Sequence, residues 1–147
     1  MTSTPAPAGL PLPYGPPIAL AVAKLVMAAA EREAVANHWP MAIAIVDSTA
    51  HLVLFQRADQ TQLGSMDVAV AKAMTAVKFR RATKIFDEAI SAGGAGLRLS
   101  TMPGVVALEG GVPIVVAGQV IGAIGVSGML SAQDGLVATA GLAAVSA

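Results

Sequence analysis

Cysteine is absent from the 147 residues, which removes a disulfide framework, a thiol nucleophile and any thiolate metal site together. The usual clue to redox compartment goes with it. Aromatic residues make up 3% and charged residues 12% of the chain, against roughly 25% charged in ordinary soluble domains. Nine basic and nine acidic side chains balance to a formal net charge of zero. No domain-wide positive field exists to gather phosphates, so nucleic acid is not an expected partner. Histidine occurs twice, at His38 and His51, with no second ligand at metal spacing, so no metal centre is expected. The sequence also lacks a P-loop, a Gly-x-Gly-x-x-Gly fingerprint and a Gly-x-Ser-x-Gly elbow.

What remains is apolar and aliphatic. Hydrophobic residues reach 55%, more than one domain of this length hides inside itself, so part of that surface is expected between subunits of a homo-oligomer. The most constrained stretch, residues 110–128, holds six glycines and Pro113 among β-branched residues and no charge. Its length approaches that of a membrane span, but Pro113 and the turn at Ala117-Gly118 suit a hairpin. Residues 18–30 are apolar too, yet no Lys or Arg precedes them and Lys24 interrupts them, the reverse of a secretory leader. A cytoplasmic protein without membrane association is expected.

Residues 1–17, rich in proline, form an extended arm that either wanders or lies across a neighbouring subunit. A single domain over 18–147 follows. A helix is expected over about 18–37, with Val22, Leu25, Ala29 and Ala36 on its apolar side and Pro40 as its stop. Residues 41–46 and 51–56 form a hairpin around the turn at Asp47-Ser48-Thr49-Ala50. Ser65 caps a helix to about Phe79, Thr83 a shorter one to about Ala92, and Gly93-Gly94-Ala95-Gly96 is a flexible loop. Strands are expected at 105–108, 112–116 and 119–126. The capping-box pattern Ser131-Ala132-Gln133-Asp134 then opens a last helix that runs almost to the C-terminus. The order α-ββ-αα-βββ-α describes an α+β domain with a five-stranded, mostly antiparallel sheet.

Lys72 is the residue with chemistry in view. Val68, Ala69, Val70, Ala71, Ala73 and Met74 surround it, so its charge is disfavoured by desolvation unless a carboxylate faces it. Either Lys72 anchors an anion or acts as a base in a pocket, or it forms a structural ion pair with Asp47, Asp59 or Asp134. Lys72 and Asp47 are the candidate catalytic groups. Arg57 and Asp59, where a strand gives way to a loop, are candidate substrate ligands, as is Thr75, one helical turn from Lys72. Gly125, Ser127 and Gly128 end a strand shortly before a helix N-terminus, where backbone amides and the helix dipole favour a carboxylate. Equally, those glycines serve tight packing of helix on sheet. Lys78, Arg80, Arg81 and Lys84 form a basic cluster that reads as a solvated face rather than an anion site.

Taken together, Ile43-Ala44-Ile45-Val46-Asp47 with His51-Leu52, Arg57-x-Asp59, Ala69-Val70-Ala71-Lys72-Ala73-Met74-Thr75-Ala76, Gly110-Gly111-Val112-Pro113-Ile114, Gly122-Ala123-Ile124-Gly125-Val126-Ser127-Gly128 and Gln133-Asp134 resemble the GlcG/HbpS family. The resemblance spans about 18–147. It implies a profilin-like, oligomeric fold with a five-stranded antiparallel sheet. Some relatives bind or degrade haem, a related domain is fused to corrinoid adenosyltransferases, and many others are small proteins of catabolic operons. Two functions follow. In one, a cofactor-independent lyase or isomerase holds a small organic acid at Lys72, Arg57 and the 125–128 strand end. In the other, the chain binds haem or a corrinoid, with His38 or His51 as the candidate ligand. Haem-binding relatives are expected to carry a histidine within the first helix, and here His38 lies just beyond it. Both readings place the pocket where helix 65–79 meets strand 119–127.

Overall fold

The computed structural model describes residues 11–145. Alternation governs its centre. In β1 (Ala42–Asp47), Ala42, Ala44 and Val46 point to one side and Ile43 and Ile45 to the other, and both sets are buried. A strand buried on both faces requires a layer on each. Accordingly β1 lies inside a four-stranded antiparallel sheet of order β2-β1-β4-β3, with β2 at Leu52–Arg57, β3 at Gly111–Val116 and β4 at Gln119–Ser127. One face carries α2 (Gly64–Phe79), and the other carries α1 (Leu20–Ala36) together with α4 (Ser131–Leu142).

The two faces differ in side-chain size. Towards α2 the sheet shows Ala42, Ala44, Ala123 and Gly125, met by Ala69, Ala73 and Ala76 of the helix. A Cβ on Gly125 would collide with the Ala69 carbonyl, and one on Gly111 with the Lys72 carbonyl. Small residues therefore let α2 lie almost on the sheet backbone, the tight-packing role of glycine within a strand. The opposite face is built of Ile43, Ile45, Ile114, Ile124 and Val126 against Val26, Met27, Ala30 and Val137.

Two expected elements differ. Residues 105–108 are not a strand, so the sheet has four strands rather than five. Backbone amides there find side chains instead of a ladder: Val106 N donates to Thr75 Oγ1 at 3.1 Å and Glu109 N to the Asp87 carboxylate at 3.0 Å. The glycine-rich loop after α3 (Thr83–Ser91) is a 3-10 helix over Gly94–Thr101, with none of its residues buried. The buried side of α1 also departs from expectation. Ala29 is buried as expected, with Ala23, Val26, Met27, Ala30 and Ala34, and Val22 packs against the core, whereas Ala36 is exposed and Leu25 is 59% exposed. With alanine at so many positions and its charges gathered at Lys24, Glu31, Arg32 and Glu33, α1 has only a weak moment from which to read its face.

The caps are displaced by one residue at α3 and α4 and by two at α2. Leu130 precedes α4, and Gln133 Oε1 reaches back to accept from Leu130 N at 3.2 Å, leaving Ser131 as the first helical residue. Thr83 is the first residue of α3, and its hydroxyl accepts from Gly111 N at 2.9 Å, tying α3 to β3. Ser65 is the second residue of α2 and accepts from Gln62 Nε2 at 2.9 Å.

Residues 11–17 lie across their own chain. Val120 N donates to Pro13 O and Gly15 N to Val120 O, both at 2.9 Å. The Tyr14 hydroxyl donates to the Val77 carbonyl at 2.7 Å near the end of α2, with Arg80 stacked 4.9 Å from its ring. Residues 1–10 of the expected arm lie outside the described residues. Among the described residues no helix is long and apolar enough to cross a membrane.

Candidate functional site

Because α2 sits so close to the sheet, Lys72 is carried to the junction of α2, the end of β4 and the start of α4. Its ammonium donates to Asp134 Oδ2 at 2.8 Å and to the Val126 carbonyl at 3.0 Å. The two side chains of the ion pair are 1% and 3% exposed. Of the three carboxylates open as partners from the sequence, Asp134 is the one present. Its other oxygen accepts from Met129 N at 3.0 Å. Burial lifts the Asp134 carboxyl above the ordinary aspartate value of 3.8, opposed by the hydrogen bond and charge of Lys72. Gly110 completes the nest. Its φ of 135° lies in the region glycine favours, and a Cβ there would stand 2.8 Å from Lys72 Nζ.

The pair opens onto a cavity of about 340 Å³ at the α2–α4 junction. Gln62, Ser65, Ser127 and Ser131 supply neutral polar groups, while Val68, Leu108 and Met129 supply an apolar side. Ser127 is 6% exposed, and its hydroxyl has no partner among the described residues. The amides of the first turn of α4 have no intrahelical acceptor, and Asp134 N is bonded back to the Leu130 carbonyl at 2.9 Å. The cavity stands where helix 65–79 was expected to meet strand 119–127.

The other candidate residues are distributed more widely. Ser127 lines the cavity and Gly128 adjoins it, but Gly125 lies beneath α2. Thr75 is occupied, donating to the Ala71 carbonyl at 2.8 Å and accepting from Val106 N. Arg57 shares a row of the sheet with Ala42 and Ser127, two strand spacings or about 10 Å from Ser127. Its Nη1 meets Met66 Sδ at 3.6 Å, and with Asp59 it lines open grooves outside the cavity. Asp47 is at the other end of the sheet, paired with Gly122 where Ala42 pairs with Ser127, a separation of about 17 Å along the ladder. There its Oδ1 organises the hairpin turn, accepting from Thr49 N at 2.8 Å, Thr49 Oγ1 at 2.6 Å and His51 N at 3.1 Å. Thus Lys72, Ser127 and Gly128 come together, while Asp47, Arg57, Asp59, Thr75 and Gly125 do not join them. His51 belongs to the turn, its Nδ1 2.8 Å from Thr49 Oγ1. His38 is exposed just after α1 in a left-handed conformation, φ 59°.

Sequence reasoning missed Asp134 as a site residue, along with Ser65, Gln62 and Gly110. For Asp134 the signal was an acidic residue in the first turn of a helix that follows the glycine strand.

Residues 18–143 match a family described as haem degrading protein HbpS-like. Protein GlcG of Escherichia coli K12 is 40% identical over 106 residues, covering 72% of this chain and 78% of GlcG. The crystal structure of Klebsiella pneumoniae ORFY superposes with a TM-score of 0.80 at 30% identity, covering 99% of both chains. A crystal structure of a PduOC–haem complex superposes with a TM-score of 0.79 at 28% identity, covering 88% of this chain and 95% of that one.

Proposed function

From the premise that this chain belongs to the HbpS-like family, we propose that it takes a small organic acid into the α2–α4 cavity and moves a proton on it, as a cofactor-independent lyase or isomerase. The observation that carries this reading is the buried Lys72–Asp134 pair opening onto a cavity. Lys72 holds the ligand oxygen on which negative charge develops. Asp134, whose carboxyl is lifted by burial, is suited to take and return the proton. Ser65 and Ser127 orient the ligand from the floor.

Removing one partner of a buried pair costs about 3–5 kcal/mol, whereas replacing both with apolar groups is often neutral. The test is therefore the double variant Lys72→Met/Asp134→Leu. It is expected to fold with a Tm near that of the wild type and to lose calorimetric binding of small carboxylates. It should also lose any exchange of the acid's α-proton with deuterated solvent, followed by NMR. Wild-type binding by the folded double variant would refute this assignment.

Haem binding is a second reading, supported by the family description and the PduOC–haem complex. The α2–α4 cavity offers haem no ligand: no imidazole lines its walls. The alternative place is an open groove of about 320 Å³ lined by Trp39, Arg57 and Asp59; His38 is not in its lining but is the residue before Trp39. There Arg57 would partner a propionate and the neighbouring His38 would offer a ring nitrogen to the iron, with haem supplying iron redox chemistry. A haemin titration distinguishes the readings. A Soret shift abolished by His38→Ala and retained in the Lys72/Asp134 double variant selects the groove, and no shift eliminates haem.

A further inference from the structure

Resting on the small-acid reading, we infer that the α2–α4 cavity selects monoanions, molecules with one carboxylate and an uncharged remainder, over dicarboxylates and phosphate. Lys72 is the one cationic side chain among the lining residues, and Asp134 at 2.8 Å already matches its charge. Gln62, Ser65, Ser127 and Ser131 add no charge. What remains positive is fractional. An ammonium has three donors, of which two are spent on Asp134 and Val126. The N-terminus of α4 contributes the equivalent of about half an elementary charge.

These partial charges suit one carboxylate and leave a second without a counter-charge against the apolar side formed by Val68, Leu108 and Met129. Ser127, 6% exposed and lining the cavity, makes no protein hydrogen bond with its hydroxyl among the described residues and keeps it open to what fills the cavity. It is placed to donate to a carboxylate that also takes the free Lys72 proton. Val68, Leu108 and Met129 form the side that receives the uncharged remainder.

The experiment is calorimetric titration of the full chain with butyrate, 2-oxobutyrate, succinate and inorganic phosphate. The two monocarboxylates are expected to bind at least about tenfold more tightly than succinate or phosphate. Equal or tighter binding of succinate or phosphate overturns the inference and leaves the small-acid reading standing. Absence of binding by all four overturns both. In Asp134→Asn the Lys72 charge is no longer matched, so the preference should move at least about tenfold towards succinate; an unchanged ranking in the folded variant overturns the charge argument. Should that variant not fold, Ser127→Ala, which leaves the ion pair intact, is the second probe. It is expected to weaken butyrate binding about fivefold to tenfold at unchanged Tm, and undiminished binding overturns the placement of the carboxylate.

Discussion

Asp47 and Asp134 carry the same side chain into opposite surroundings. At Asp47, burial pulls the carboxyl up, but the hydrogen bonds from Thr49 and His51 outweigh it and hold the group below its ordinary value of 3.8. At Asp134, burial prevails over Lys72 and lifts the group. For Asp47 the sign of the consequence is fixed. A depressed folded pKa stabilises above the unfolded value and is lost as pH falls through the folded one. Asp47→Asn, which removes the charge alone, is therefore expected to cost about 1 kcal/mol at neutral pH. The difference in denaturant midpoint between variant and wild type should close as pH drops below 3.8. Lys72 was legible in the sequence because a lone charge in an apolar helix needs a partner. The partner itself lies 62 residues away on another helix, and no local periodicity connects the two. Asp47 resembled a site residue because it ends a strand, but an aspartate before Ser-Thr serves its own turn first.

At the scale of elements, the alternation in residues 41–46 and the glycines of 110–128 gave the two hairpins, and the structure joins them through β1 and β4. The glycines have unequal duties. At Gly125 a Cβ would strike the Ala69 backbone, which cannot swing aside, whereas at Gly64 it would meet nothing within 4 Å. Gly125→Ala should consequently lower stability by about 1–3 kcal/mol. Gly64→Ala, at the start of α2, should be neutral or stabilising by up to about 1 kcal/mol. Chemical denaturation of the two variants side by side tests this, and equal effects would show that α2 does not bear on the sheet as described. Residues 105–108 misled because a short apolar run fits a strand as well as a tethered loop. What decides is the hydroxyl of Thr75 and the carboxylate of Asp87, supplied from α2 and α3.

For the whole molecule, the surplus of apolar residues noted in the composition reaches the surface around the cavity. Leu63 is 77% exposed just before α2, and Leu130 is 71% exposed just before α4, with Leu108, Met129 and Leu136 also exposed. Exposed apolar side chains of this kind favour burial against a second copy. Self-association is the expected behaviour. Sedimentation velocity should show an assembly in the wild type and a lighter species in Leu63→Glu/Leu130→Glu, and a monomeric wild type would leave this surface without that explanation. The central pairing of β1 with β4 also sets a timetable for the nascent chain. Gln119 follows Asp47 by 72 positions, so at about 5–20 residues per second roughly 4–14 s separate the synthesis of the two strands. Throughout that interval Ile43 and Ile45 lack the strand that covers one flank of β1, the condition in which unpaired edges aggregate. The strap at Pro13–Gly15 is made first, yet its anchor on Val120 arrives near the end. Variants that slow closure of the sheet will therefore first show as losses among newly made chains, ahead of any change in the finished protein.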